Sequence, residues 1–419
     1  MAKRKSVSIL VANLPAERDR RVIRESLTLE AHGYDVTIIA PRGNKALRTL
    51  PGSQNVRLRP YPVVVFGSGI LTFAFEFLWS FLCVSYRLAG EVLRGRAQAV
   101  QVCNPPDVYW PLALVFRLLR RPWVFDHHDL CPEILVTRNG GTGGGLAYRA
   151  LVAFEWLTLH TAREVIATNE SFRENALRRG VAEGKVTVVR NGPARAEIAA
   201  TEGGADWTGP THHLVYLGVL GPQDNVEGAI LAAEELRKRR AKADWRLTIA
   251  GEGETMLALT MLVKERQLGD VVEFAGWLDG PDVDAFLRTA TVAIQPDLPT
   301  RMNDLSTMAK TVEYLGRGIP VVAADLTETR RSAGDAAVYV PNGTPEELAE
   351  AINALLDDEP RREKMSACGI SRFNDMLSWE HQAEAYIGVW HRLLGPGTPV
   401  TIPAQRSADE PASAPTRAQ

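Results

Sequence analysis

Cysteine is scarce in this chain. It has four in 419 residues (Cys83, Cys103, Cys131, Cys368), at spacings that fit neither a metal-ligand cluster nor a disulfide framework. A reducing compartment is the expectation. An excess of charge of one sign is lacking too. Lys plus Arg number 48 against 50 Asp plus Glu, a net charge of −2, so nothing electrostatic points to nucleic acid as a partner. The first apolar run, Val7–Ala12, is short for the core of a signal peptide and reads as a buried strand. Neither half opens with a complete Gly-x-Gly-x-x-Gly after its first strand, which weighs against a dinucleotide-dependent oxidoreductase.

What is present is an alternation. Short apolar strands are expected at Val7–Ala12, Asp35–Ala40, Ala99–Cys103, Trp123–His127, Glu164–Thr168 and Val186–Arg190, with helices beginning near Arg18, Ile70, Asp107, Leu146 and Ser171. A linker rich in Ala, Gly and Glu, Pro193–Thr211, precedes a second series: Leu214–Leu217, Arg246–Ala250, Val272–Ala275, Val292–Gln295, Pro320–Ala324 and Ala337–Val340. Near-continuous apolar strands between helices predict α/β architecture with two doubly wound parallel sheets, each covered on both faces. The expected organisation is an N-terminal domain over 1–195, a C-terminal domain over 196–377, a last helix over 378–394 packing back on the first domain, and a disordered tail over 395–419. Ligands of such sheets bind beyond the carboxyl ends of the strands, so both domains address one cleft.

From Pro62 to Tyr86 the only charged residue is Glu76, and aromatics are dense. The run reaches the ~20 residues of a membrane span. Gly67-Ser-Gly69 splits it, however, and Glu76 would lie near mid-membrane at a cost of about 3 kcal/mol. A strand, a turn and then a helix with one face on the core is expected. The other face of Ile70–Tyr86 is free to rest on a membrane interface, with Arg87, Arg94 and Arg96 at its end. A fully buried helix fits the same pattern.

The most informative stretch is Ser306–Asp325. It reads as one helix with Ser306 as N-cap, closed by Gly316 and Gly318, then a strand after Pro320. Lys310 and Glu313 stand three residues apart on one helical face. A cation and a carboxylate beside a helix N-terminus suit a ligand with both phosphates and hydroxyls, and a nucleotide sugar is such a ligand. The plain alternative is a surface ion pair worth about 0.3–0.5 kcal/mol.

Further landmarks run in a definite order: Asp19-Arg-Arg-Val22, Gly33-Tyr-Asp-Val36, Cys103-Asn-Pro-Pro-Asp107, Phe125-Asp-His-His-Asp-Leu-Cys-Pro-Glu133, Ala167-Thr-Asn-Glu-Ser171 and Val188-Val-Arg-Asn-Gly192. The second half adds Tyr216-Leu-Gly218 with Gln223-Asp-Asn-Val226, Ile249-Ala-Gly-Glu-Gly253, Phe274-Ala-Gly-Trp277 and Asn303–Asp325. Over about Ser6 to Leu394 this order resembles the retaining family-4 glycosyltransferases of the GT-B fold, most of all the bacterial branch that builds exopolysaccharides and surface glycans. The resemblance implies two Rossmann-like domains facing a central cleft, with the nucleotide-sugar donor on the C-terminal domain and the acceptor on the N-terminal one. It also implies that no metal or other cofactor is needed.

Carried onto this sequence, the resemblance places His128 near the reacting sugar and has Asp129 touch substrate or orient the acceptor. Lys310 faces the diphosphate, and Glu313 accepts hydrogen bonds from ribose hydroxyls. Gly218, Gly221, Gly251 and Gly253 let backbone approach the nucleotide, and the amides of Ser306, Thr307 and Met308 contact hexose or phosphate. A metal on Asp126, His127 and His128 is disfavoured because adjacent strand residues point to opposite faces. Two departures stand out. The second carboxylate usual in the family, eight positions before Glu313, is here Leu305, with Asp304 and Asn303 as the neighbouring substitutes. The lysine usual near Gln223 is absent, leaving the Gly221–Asn225 backbone or Arg301. Arg18, Asp19 and Arg21 lie where relatives bind acceptor, although a solvated helix start explains them as well. Trp277 either borders the base or belongs to the core, and Asn191-Gly192 either supports the hinge or touches the donor.

The expected function is transfer of a sugar, with retention, from a UDP- or GDP-sugar to a glycan acceptor, a polyprenyl-diphosphate-linked saccharide in exopolysaccharide or surface-glycan synthesis. The expected location is the cytoplasm, at the inner face of the cell membrane. A nucleotide-sugar epimerase of the same fold and a non-catalytic sugar-nucleotide-binding subunit are the alternatives; the first needs no acceptor and the second performs no transfer.

Overall fold

The computed structural model describes residues 4–43, 47–64, 70–138, 144–199, 208–240 and 244–398. The turn expected at Gly67-Ser-Gly69, part of the linker after residue 199 and the tail beyond residue 398 lie outside them.

Two parallel sheets organise the chain. The first has seven strands: β1 (Ser6–Leu10), β2 (Asp35–Ile39), β3 (Arg57–Leu58), β4 (Ala99–Cys103), β5 (Trp123–His127), β6 (Glu164–Ala167) and β7 (Val186–Val188), in the order β3-β2-β1-β4-β5-β6-β7. The second has six: β8 (His212–Leu217), β9 (Trp245–Ala250), β10 (Val272–Gly276), β11 (Val292–Gln295), β12 (Val321–Ala324) and β13 (Ala337–Val340), in the order β10-β9-β8-β11-β12-β13. Strands β1, β4 and β5 are buried at every residue, as a sheet with helices on both faces requires. In each sheet the order reverses beside the first strand, and a ligand crevice opens there at the carboxyl ends. Twelve of the thirteen strands coincide with runs read from the sequence. The extra one, β3, has two residues and pairs with Thr37 and Ile38.

The last helix, Trp379–Leu394, crosses back to the first sheet. Trp379, Tyr386 and Trp390 join the core of Val7, Ile9 and Val36. The Trp379 indole N–H donates to Thr28 Oγ1 at 3.0 Å, and the Tyr386 hydroxyl donates to Gln101 at 2.7 Å. At the crossing point Gly192 lies against Leu377, whose carbonyl oxygen would be 1.8 Å from any Cβ at position 192. Only glycine fits this junction.

Helix Ile70–Leu93 turns Ser80, Val84, Leu88 and Glu91 inward, while Leu78, Leu82, Tyr86 and Leu93 are exposed. The spacing of these two sets puts them on opposite sides of the helix. No helix among the described residues is long and apolar enough to cross a membrane.

Candidate functional site

Residues that follow the strands of one sheet meet residues that follow the strands of the other, so the carboxyl ends of both sheets face each other. Asn169, after β6, donates to the Leu305 carbonyl at 2.9 Å and to Thr307 Oγ1 at 3.2 Å. Ser171 donates through N and Oγ to Glu328 at 2.9 and 2.7 Å, and Arg190 reaches the same carboxylate at 3.4 Å. Glu133 meets Arg301 at 3.3 Å.

On the C-terminal side the candidate donor residues sit at the ends of β8, β9 and β11. The Lys310 ammonium donates to Asp297 at 2.8 Å and Asp224 at 3.0 Å, and lies 5.0 Å from the centre of the Tyr216 ring. A Cβ at Gly218 would come within 3.3 Å of Lys310 Cε, so the turn after β8 rests directly on this side chain. Burial works against the Lys310 charge, but Asp297 and Asp224 outweigh it and hold the pKa above the ordinary lysine value. Asp297 is pushed upward by its own burial, against the pull of Lys310. An ammonium has three donors and two are engaged, which leaves one for a ligand. Two acids offset part of the Lys310 charge, and the amide ends of helices Ala309–Gly316 and Val226–Arg239, which carry no side-chain cap, add the partial positive charge of helix N-termini.

The helix expected from Ser306 starts later, at Ala309, and a separate short helix precedes Ser306. Arg301–Leu305 ends at Ser306, whose hydroxyl donates back to the Met302 carbonyl at 2.7 Å, and Ala309–Gly316 starts after Met308. Ser306 is therefore not an N-cap, and Thr307 and Met308 form the break between the helices. Beside the break, the Leu305 side chain packs against the apolar core of the N-terminal domain. Asp304 turns into its own domain and caps helix Thr327–Ala333, accepting from the Thr327 amide at 2.7 Å. Asn303 is buried and ties the Gln223 and Leu298 carbonyls at 3.0 and 2.9 Å. Neither replaces the missing carboxylate as a free side chain. Glu313 pairs with Arg317 at 2.6 Å, not with Lys310, and stays partly open.

Gly251 and Gly253 do not line the cleft directly. A Cβ on Gly251 would meet the Gly218 carbonyl oxygen at 1.8 Å, and one on Gly253 would meet that of Leu220 at 2.3 Å. They let the β9 loop press against the Gly218–Gly221 turn and so fix its shape. Trp277 is 60% exposed, its indole donating to Asp279 at 2.9 Å, so it is not a core aromatic.

On the N-terminal side, β4 and β5 run side by side with Cys103 opposite Asp126. The next residue out, His128, bonds through Nε2 to Asp126 Oδ2 at 2.7 Å. Asn104 accepts from the amides of His128 and Asp129 at 2.7 and 3.1 Å and so fixes the turn. Burial disfavours charge on His128, but Asp126 outweighs it and raises its pKa, so the carboxylate favours the protonated ring. The Asp129 backbone is tied to Asn104 at both N and O, while its side chain makes no hydrogen bond or ion pair among the described residues, and burial raises its pKa. His127 points the other way, into the core between Phe125 and Phe172, and burial lowers its pKa to about 3. Among the described residues no hydrogen bond or ion pair links His128 or Asp129 to Lys310 or Glu313.

Arg21 is not a solvated helix start. It is 3% exposed and bidentate to Asp126, at 2.8 and 3.2 Å, while Asp19 caps its helix through Val22 N. Despite burial, Arg21 and then His128 hold Asp126 far below the usual carboxylate range. Glu25 is driven upward by its burial and by Asp126 beside it. Cys103, Asp126 and His128 are one cluster with metal-ligand types, yet the guanidinium already fills the coordinating side of Asp126.

Sequence reasoning missed Glu328, Asp297 and Asp126 as organising groups. Each is a buried acid at or just beyond a strand's carboxyl end, and that position was the available signal.

Two nucleotide-binding-type domains whose strand ends face a shared cleft define the GT-B class. Residues 20–192 match the glycosyl transferase 4-like domain and residues 211–358 the group 1 glycosyl transferase domain. The chain belongs to the family-4 glycosyltransferases. It is similar to a D-inositol 3-phosphate glycosyltransferase of Pseudarthrobacter chlorophenolicus, 30% identical over 206 residues, which are 46% of this chain and 47% of that protein. The matched stretches span about half the length of the first such relatives. The fold is that of sucrose-phosphate synthase from Thermosynechococcus elongatus (TM-score 0.70, 18% identity, 93% and 99% of the two chains). It is also that of Anabaena HepE, solved with UDP-glucose (TM-score 0.67, 14% identity, 93% and 100%).

Proposed function

We propose that this protein is a retaining glycosyltransferase that takes a hexose-type sugar from a UDP- or GDP-linked donor to a saccharide carried on a lipid diphosphate, in exopolysaccharide or surface-glycan synthesis at the inner face of the membrane. The observation that carries the reading is the Gly218 turn seated on Lys310 between two helix amide ends, opposite His128. A diphosphate leaving group gathers negative charge as the glycosidic bond breaks, and fixed amide dipoles with one ammonium donor stabilise it. Glu313 accepts from the ribose hydroxyls. His128, oriented by Asp126, whose charge favours the protonated ring, donates to a sugar hydroxyl or the departing phosphate. Asp129 orients the acceptor. No side chain is placed as a strong base, which fits front-face attack with the leaving phosphate taking the acceptor proton. The residues that do this work need no metal. The apolar outer face of helix Ile70–Leu93 supports membrane contact, and a relative of the same fold solved with UDP-glucose supports the donor class.

The test is incubation of the purified protein with UDP- and GDP-sugars and a lipid-linked saccharide extract, with and without EDTA, following the anomeric proton of the product by NMR. An α-linked product from an α-donor supports the reading. An inverted linkage removes retention. Isomerised donor without acceptor favours an epimerase, and tight donor binding with neither transfer nor hydrolysis favours a non-catalytic subunit.

A further inference from the structure

At the opposite end of the first sheet from the cleft lies a cavity of about 430 Å³, between the ends of helices Trp110–Leu118 and Gly145–Thr161. Its walls carry Arg117, Arg120, Arg121, Arg163 and Lys185, with Trp123 at the back. None of these five cations has a carboxylate partner among the described residues, although surface arginines elsewhere are mostly paired. Arg121 donates only to the Ala97 carbonyl, at 2.9 Å. The one acid in the wall, Glu164, is already engaged by Arg392 at 3.1 Å. Five cations without a carboxylate partner, in a chain of net charge −2, make a local concentration of positive charge that attracts an anion. Helix C-termini attract cations, and that accounts for Arg117. It does not account for Arg163 on the edge of β6 or Lys185 ahead of β7.

The helices beside this cavity expose apolar side chains. Twelve of the twenty large apolar side chains exposed among the described residues lie on, or directly after, helices Ile70–Leu93, Trp110–Leu118 and Gly145–Thr161. Leu118 and Leu93 are the most exposed on their helices, at 84% and 88%. The Arg121–Ala97 hydrogen bond brings the end of the first of these helices to the cavity. An arginine hollow edged by leucines matches a surface that is anionic in one layer and hydrocarbon in the next.

We propose that this cavity is a binding site for the phosphate of an anionic membrane lipid, and that Leu93, Leu118 and Leu119 enter the interface when it is filled. The site lies at the far end of the sheet from the donor residues, and the proposal stands independently of the transfer reaction. Arginines bind a phosphate diester through paired N–H donors, and the attraction weakens with salt over a screening length of ~8 Å.

The experiment uses the full chain in vesicle flotation, with phosphatidylcholine alone and with added phosphatidylglycerol, across a salt series. The comparison variant combines Arg117→Gln, Arg120→Asn, Arg163→Gln and Lys185→Gln. All four side chains are exposed, and asparagine tolerates the positive φ of residue 120, so melting temperature should be unchanged. Flotation of the wild type with phosphatidylglycerol vesicles only, falling with salt and at least tenfold weaker in the variant, supports the proposal. Equal flotation of wild type and variant overturns it, as does equal wild-type flotation with both vesicles. Quenching of Trp123 by inorganic pyrophosphate, lost in the variant and unaccompanied by wild-type flotation, assigns the cavity to a soluble phosphate and overturns the lipid.

Discussion

Lys310 stands 2.8 Å from Asp297 in a buried ion pair directly under the Gly218 turn. Removing one member of such a pair leaves the other charge stranded, at a typical cost of about 3–5 kcal/mol. Lys310→Met is expected to lower the melting temperature and to reduce turnover by about 100-fold through loss of a phosphate donor. Adding Asp297→Asn should recover much of the stability and none of the turnover. Recovery of both by the double variant would mean that Lys310 only holds the fold.

His128 provides a pH signature. Its folded pKa is raised by Asp126, so the stability it contributes is fully present below the unfolded value of about 6.5 and is lost as pH rises through the folded value. An imidazolium donor gives activity with the same sign, falling on the alkaline side. His128→Gln should erase that limb and cut turnover by about 100-fold at neutral pH. A pH–rate profile that keeps its alkaline limb in the variant assigns the limb to another group.

Parallel strands buried on both faces are near-continuous apolar runs, which is why β4, β5, β11 and β13 were legible residue by residue. The glycine turn after β9 was legible as a turn for a similar reason, because turns have local chemistry. Arg21 was not, since its carboxylate partner lies 105 residues away, and a local reading left it at a solvated helix start. Ser306 was misread as an N-cap: it closes the short helix Arg301–Leu305 instead, beside Leu305, whose packing on the N-terminal core is a long-range contact that a local reading does not see.

Gly251 tests the shape of the turn. Its φ of +141° and the Gly218 carbonyl oxygen 1.8 Å from a Cβ leave no room for a side chain. Gly251→Ala is expected to displace Gly218–Gly221 and weaken donor binding tenfold or more, read by titration calorimetry. The far end of the sheet should stay intact in hydrogen exchange. Unchanged donor affinity would place the nucleotide away from this turn.

Leu305 occupies the position where relatives carry a carboxylate, so Leu305→Glu looks like a restoration. Its side chain packs on the N-terminal core, and the variant instead puts a charge into an apolar contact. The expected outcome is a lower melting temperature, by about 1–3 kcal/mol equivalent, with no gain in transfer. A gain in turnover would show that the side chain reaches the donor sugar.

Glu328 is the pivot of the interface. It is fully buried and accepts from Ser171 N and Oγ, from Arg190 and from Arg331 at 2.9 Å, with Ser171 157 residues away in sequence. Four donors converge on one carboxylate, and two of the side chains are guanidinium groups that remain charged without it. Glu328→Gln keeps the volume and one acceptor but strands the buried Arg190, while Arg331 keeps its ion pair with Glu174, so a loss of about 3 kcal/mol is expected. The loss should appear as loosening between domains rather than as unfolding of either one, because each sheet retains its own core. Small-angle scattering is then expected to give a larger radius of gyration, and donor KM should rise more than turnover falls. Scattering and melting curves that overlay the wild type would remove Glu328 from this role.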